Sequence, residues 1–392
     1  MRRVTDAERR ARLTTRHHLA PSAKATDAVA LAEQLVGLHA TDPATVFFAA
    51  AARLKKPTVE AVERALYSDR TLVRTLCMRR TLFVVPVDLV PTVQAAVTDA
   101  LVPGERKRTV RMIEENGIAR DGARWLRQAE AETLAVIEAR GEATGAELAQ
   151  AVPKLRKQIP YGEGKTWAGK MGMTTRVLFL LSCEQRVVRG RPEGSWTSTR
   201  YRWAPMSAWC PDGFPSLKPD EARVELARRW LAAFGPGTVA DIKWWTGWSL
   251  GQTRQALAAL DTLEVELENG AAGFVLAGDD APVPSPKPAA ALLPSLDPTT
   301  MGWTERDWYL GPHKPALFDR AGNAGPTVWW DGRIVGGWIQ RKDGEIVWRL
   351  LEDIGTEGER AVEREGERLH AWLAGVVVVP RFRTPLYEEL RA

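Results

Sequence analysis

The sequence predicts an α+β fold of tandem helix–turn–helix units, each closed by a β-hairpin, with a β-rich C-terminal part. Three observations predict it. One order of elements, helix then helix then helix then hairpin, recurs along the chain. Cap and turn residues stand at the joints of each copy. The last hundred residues carry a three-strand alternation broken by two glycine turns. At 392 residues the chain is long enough for two or three domains.

Residues 1–25 are basic and weakly patterned (Arg2, Arg3, Arg9, Arg10, Arg12, Arg16, Lys24). They are expected to form a loose arm or a short leading helix. From Thr26 the pattern turns helical. Thr26 or Asp27 can cap, and Val29, Leu31, Leu35, Val36 and Leu38 supply apolar positions. Pro43 follows His39-Ala40-Thr41-Asp42 and opens the next helix at its first turn, with Val46, Phe47, Phe48 and Leu54 along it. Pro57-Thr58 starts a third helix, reaching about Tyr67. Thr71 to Val85 is rich in β-formers, lies near Arg79-Arg80 and reads as a hairpin. This is the element order of a winged helix.

The second copy opens with a helix over 125–140. Gly141-Glu142-Ala143 turns, and Thr144 caps a short helix ending near Val152-Pro153. After a Gly-rich insert, Met173 to Cys183 reads as a helix. A strand at 186–189, a loop at 190–194 and a strand at 197–204 form a wing carrying Arg186, Arg189, Arg191, Arg200 and Arg202, interleaved with Trp196, Tyr201 and Trp203. The third copy follows a Pro/Gly-rich linker at 211–219. It has a helix over 221–234, a Gly-Pro-Gly turn, helices capped by Thr238 and Ser249, and a hairpin turning at Asn269-Gly270. Pro282 to Pro294 is expected to be an extended connector. Strands over 327–330, 334–338 and 346–351 make a meander, followed by an amphipathic helix over 356–372 and a short strand at 376–379. The expected domains are residues 1–118, 119–212 and 213–392.

The formal net charge is +5, but its distribution is uneven. Between Lys154 and Arg202, eleven Lys/Arg, Lys165 and Lys170 among them, stand against Glu163, Glu184 and Glu193. That window carries +8 and leaves the rest near −3. Such concentration is what a phosphate-binding face requires; a solvated surface without a partner is the other reading. No run of about 18 apolar residues is present, so no membrane span is expected. No apolar segment follows the basic N-terminus, which makes the cytoplasm the expected location. The scattered Cys77, Cys183 and Cys210 fit neither a disulfide framework nor a zinc site. Walker, dinucleotide-binding, HExxH and GxSxG motifs are missing, which removes the commonest nucleotide-hydrolysis, redox and serine-hydrolase readings. Among five histidines, only His39 sits at a junction between two predicted helices. The sixteen tryptophans are expected to be mostly core, with a minority available to stack on a base.

Four segments carry a family resemblance: Leu35-Val36-Gly37-Leu38-His39-Ala40-Thr41-Asp42-Pro43, Arg80-Thr81-Leu82-Phe83-Val84-Val85-Pro86, Phe234-Gly235-Pro236-Gly237-Thr238-Val239-Ala240-Asp241 with Trp244-Trp245, and Leu292-Leu293-Pro294-Ser295-Leu296-Asp297-Pro298. Together they resemble the AlkZ/YcaQ-like winged-helix family. The resemblance implies three tandem winged helices around a concave basic surface that holds a DNA duplex. It also implies a monofunctional glycosylase that hydrolyses the N-glycosidic bond of N7-alkylated or bulky-adduct purines, with no metal or organic cofactor. The family's catalytic signature is Gln-apolar-Gln or Gln-apolar-Asp; the matching positions here are His39-Ala40-Thr41. In those places a neutral His39 can accept a proton from water, Thr41 can orient that water, and an inward-facing Asp42 can stabilise the sugar cation. The other reading is that Asp42 or Thr41 merely caps the helix starting at Pro43. Arg79 and Arg80 fall near the lesion by the same resemblance. The departure from the glutamine signature keeps a second reading open, a non-catalytic DNA-binding regulator or damage sensor. A third is protein binding. No heptad-like dimerisation helix is present, which counts against a regulator that dimerises over half-sites; a monomer is expected.

Overall fold

Three times along the chain a helix, a short extended segment, two helices and a hairpin fold into one unit. The computed structural model describes residues 2–162, 164 and 168–391. Ahead of the units, β1 (Arg2–Val4) and α1 (Asp6–Arg16) open the chain. The first unit contains α2 (Ala28–Gln34), β2 (Leu38–His39), α3 (Pro43–Arg53), α4 (Val59–Glu63), β3 (Leu72–Leu76) and β4 (Leu82–Pro86), with strand order β2-β4-β3. Asp27 caps α2 by accepting from the Val29 and Ala30 amides. Two helices then lead out, a short α5 (Val90–Val93) and the long α6 (Asp99–Glu115).

The second unit repeats the order with α7 (Gly122–Arg140), β5 (Ala143–Thr144), α8 (Gly145–Ala151), a small ribbon of β6 (Gln158–Tyr161) and β7 (Gly169–Gly172), α9 (Met173–Cys183), β8 (Val187–Pro192) and β9 (Tyr201–Pro205). Its sheet order is β5-β9-β8. The third has α10 (Pro219–Phe234), α11 (Val239–Thr246), α12 (Leu250–Ala258), β10 (Thr262–Leu267) and β11 (Ala272–Leu276). There the short extended segment is reduced to Gly237, which bridges Phe274 of β11. Each unit thus has winged-helix connectivity. Thr144 with Glu147, Thr238 with Asp241 and Ser249 with Gln252 form reciprocal capping boxes at α8, α11 and α12.

The N-terminal residues do not hang loose: the leading helix forms, and the segment binds the first unit, where Arg53 donates to the His17 carbonyl and Lys24 to that of Ala52, as well as the third. β1 pairs in parallel with β10, so it extends the third unit's wing sheet. In α1, Arg12 is buried and donates to Glu8, to the Asp279 side chain and to the carbonyls of Asp279 and Ala281. The basic arm faces inward because acids and carbonyls of the third unit receive it.

The C-terminal part is a four-stranded sheet, β12 (Ala290–Leu293), β13 (Thr327–Trp330), β14 (Arg333–Gln340) and β15 (Ile346–Leu350), in that order. Short helices α13 (Asp307–Leu310) and α14 (Lys314–Leu317) lie between β12 and β13, and α15 (Gly355–Leu373) and α16 (Pro385–Arg391) close the chain. Two expectations change here. The end of the expected connector is strand β12, paired antiparallel with β13. Residues 376–379 form no strand; the Gln340 side chain instead donates to the Val376 carbonyl and accepts from the Val378 amide. No helix among the described residues is long and apolar enough to cross a membrane.

Two large cores knit distant parts together. One joins the first hairpin (Cys77, Phe83, Val85) to the third unit (Trp230, Phe234, Trp245). The other joins α2 and α3 to the C-terminal sheet through Phe47, Phe48, Leu292 and Trp338. The second unit keeps its own core, but its wing loop sends Trp196 into that other core, against Phe47, Phe48 and Trp372. The first unit is thereby held from both sides, and the His39 strand lies inside it.

Candidate catalytic junction and nucleic-acid interface

His39 ends β2, opposite Phe83 of β4, and its ring lies 5.0 Å from the Phe83 ring. It is 3% exposed. Burial, and secondarily the charge of Arg79, push its pKa down to about 3, so the imidazole is neutral at physiological pH. Its Nδ1 is buried without a hydrogen-bond partner among the described residues, and so is the Thr41 hydroxyl. Between them, the Ala40 amide and carbonyl are fixed by Leu82 and by Arg74.

Asp42 is buried and lines a small cavity with Thr45, Ser295 and Gln340. One oxygen accepts from the Ala44 amide at 3.1 Å, capping α3. The other accepts from the Arg381 amide at 3.0 Å. Pro43 at the first helical position has no amide to offer, so the cap reaches the next one. Both oxygens are held by backbone donors, and Asp42 serves as a helix cap and a tie to the C-terminal segment.

The first hairpin turns through Arg79 and Arg80, consecutive residues with φ of 52° and 59°, in the left-handed region. Arg79 lies 4.1 Å over the Trp244 ring, and Arg306 lies 5.0 Å from the same ring. Burial, and then Arg306, push Arg79 down to about 10. Arg80 is exposed and pairs with Glu105 at 2.6 Å, which also binds Arg176.

The wing arginines divide into two groups. Arg191 pairs with Glu63 at 2.6 Å, and Arg202 meets Glu142, Glu147 and Glu193 within 3.6 Å. Arg186 and Arg200 are exposed and make no ion pair among the described residues. Arg189 is largely covered and stacks on Trp203 at 4.5 Å. Lys170 is exposed on β7, and Lys165 lies outside the described residues. Arg74 is a lone charge inside the buried strand Leu72-Val73-Arg74-Thr75-Leu76, a signal legible in the sequence only once the strand is known to be buried.

Three helix–helix–hairpin units in tandem, a buried junction strand in the first and exposed arginines on the second wing define the class, an α+β protein of tandem winged-helix connectivity. The chain belongs to the DNA glycosylase AlkZ-like family, whose sequence model matches residues 32–372. It is similar to an interstrand DNA cross-link repair glycosylase of Streptomyces sahachiroi, 29% identical over 187 residues. That alignment covers 45% of this chain and 49% of the relative, about half of each. The solved structure of Streptomyces sahachiroi DNA glycosylase AlkZ matches with a TM-score of 0.73 at 22% identity, covering 97% of this chain and 99% of that one. The α+β architecture with its β-rich C-terminal sheet is therefore shared along nearly the whole length. The resemblance drawn from four short segments is confirmed as family membership.

Proposed function

We propose that this protein is a monofunctional DNA glycosylase. It hydrolyses the N-glycosidic bond of N7-alkylated or bulky-adduct purines in duplex DNA, as a cytoplasmic monomer, in DNA repair or self-resistance to a genotoxin. Family membership supports a DNA substrate. The observation that carries the site is the pair of orphaned polar atoms, His39 Nδ1 and Thr41 Oγ1, at the two positions of the family's catalytic signature. Buried polar groups are nearly always paired, and each orphan costs about 1–3 kcal/mol. Two of them two residues apart, at the signature positions, support a place for a ligand there.

The geometry refines the chemistry. A neutral imidazole with a pKa of about 3 is a poor proton acceptor. On this reading His39 and Thr41 orient water through hydrogen bonds rather than deprotonate it. Water adds to C1′, the C1′–N9 bond breaks, and the bonding pair neutralises the cationic alkylpurine. The water's proton passes to solvent. An N7-alkylated base needs no acid to leave, which suits a site without a general acid. The ring is covered beside Phe83, with Arg79 near by.

The enclosure of His39 and the engagement of Asp42 by backbone donors favour one alternative, a DNA-binding damage sensor without catalysis. One experiment separates the two. Duplexes containing N7-methylguanine or a bulky N7 adduct are incubated with the wild type, His39→Ala and Thr41→Val, and abasic sites are counted. The glycosylase reading expects base release that both variants reduce at least about tenfold. A wild type that binds these duplexes yet releases no base from any of them supports the sensor.

A further inference from the structure

Arg74 is the one charge on β3, a strand of five buried residues. One of its Nη atoms donates at 2.8 Å to the carbonyl of Ala40, the residue between His39 and Thr41. Its guanidinium lies 5.1 Å from the centre of the Tyr201 ring, with Tyr67 beside it. The guanidinium also hydrogen-bonds the Tyr67 side chain; its other Nη, like the Tyr201 hydroxyl, is buried with no geometric hydrogen-bond partner among the described residues. Arg189 completes the group. It rests on Trp203, and burial followed by the charge of Arg74 pushes its pKa down to about 10. Neither guanidinium has a carboxylate partner among the described residues, and Glu63 of the neighbouring α4 is already held by Arg191.

Two covered cations without a counter-charge are unfavourable unless an anion joins them. That anion is not the reacting centre, since a cationic alkylpurine or an oxocarbenium-like sugar would be repelled here. In a nucleic acid the negative charge resides in the phosphodiesters. Forked arginine donors and a hydroxyl match phosphate oxygens. We propose that Arg74, Arg189 and the Tyr201 hydroxyl form a phosphate-binding site for a phosphodiester adjoining the nucleotide held at His39 and Thr41. The inference rests on the DNA-directed reading above. Arg74 is a positioning residue, because its bond to the Ala40 carbonyl ties the phosphate to the junction strand.

The test uses a duplex with a tetrahydrofuran abasic-site analogue, each neighbouring phosphate being replaced in turn by an uncharged methylphosphonate. At one position the replacement weakens wild-type binding about tenfold and lowers the salt dependence by about one ion. In Arg189→Met and Tyr201→Phe the same replacement costs less than about twofold, because the contact is already lost. Arg74→Met behaves likewise if its circular dichroism is native; the other two variants carry the test if it does not fold. The site is overturned if no neighbouring methylphosphonate weakens wild-type binding, if the loss is as large in Arg189→Met, or if the duplex is not bound at all. Base release from N7-methylguanine duplex is measured in parallel. Release without methylphosphonate sensitivity refutes the phosphate site and keeps the glycosylase reading. Sensitivity without release does the reverse.

Discussion

Arg53 and His39 are both buried polar side chains in the first unit, and they stand in opposite circumstances. Arg53 is 0% exposed, and all five of its donors are used, on both Asp297 oxygens, the Thr299 hydroxyl and the carbonyls of His17 and Ala49. Removing one partner strands a buried charge, so Asp297→Ala is expected to cost about 3–5 kcal/mol in urea unfolding. His39 has no such company, and its pKa is depressed from 6.5 to about 3. Between those values the unfolded chain binds a proton that the folded chain refuses. The folded state is therefore at full strength above about pH 6.5 and weakens as pH falls towards 3. His17 is shifted the same way by burial and adds to the trend. His39→Gln is expected to make the acid limb shallower by up to about 1.4 kcal/mol per pH unit, read from urea midpoints across that range. The sequence marked His39 as the histidine at a helix junction. Its burial was not legible, because it depends on elements distant along the chain, with the Phe83 ring of β4 packed against it.

At the scale of elements, the joints were the legible part. Thr144, Thr238 and Ser249 stand where the sequence placed them, because a capping hydroxyl acts on amides two or three residues away. Thr144→Ala is expected to cost about 1 kcal/mol. Asp241→Ala should cost at least about 3 kcal/mol, since the Thr238, Thr304 and Glu305 amides all donate to that buried carboxylate. Comparing both variants in one denaturant series checks the ranking. Gly336 on β14 offers a backbone test: an added Cβ would lie 2.1 Å from the Arg349 carbonyl oxygen of β15. Gly336→Ala is therefore expected to lower the melting temperature by several degrees, about 1–3 kcal/mol or more. Helix α6 escaped the sequence reading. It contains Pro103 and is half charged, and it is held by ion pairs to other elements, Arg106 to Glu130 and Glu184 and Glu105 to Arg176. Strand β12 was hidden within a Pro/Ala-rich stretch because an edge strand is selected by its neighbour, here β13.

Across the whole molecule, Trp196 fastens the second wing to the first unit and the C-terminal part. It is 7% exposed and meets Phe47, Phe48 and Trp372. Trp196→Ala is expected to cost about 3–5 kcal/mol and to open residues 193–200 to limited proteolysis. The wing charges make a second whole-molecule prediction. Arg186→Ala and Arg200→Ala should weaken binding to every duplex sequence about equally and flatten its salt dependence. Arg202→Ala should do so less, because three carboxylates already neutralise Arg202. Titrations at several salt concentrations distinguish the two cases, and a larger loss for Arg202→Ala would contradict the partition.

From the sequence alone came the α+β class, the threefold repeat, the caps, the hairpins and the family-like segments. All of these are written in residues close together along the chain, where short-range hydrogen bonding and side-chain periodicity decide. Tertiary structure alone decided that the basic arm joins the third unit, that Asp42 is held by backbone amides at the head of α3, which arginines remain free, and that Arg74 reaches the Ala40 carbonyl. Those outcomes depend on which distant groups meet, and burial and charge compensation are properties of the meeting rather than of either partner.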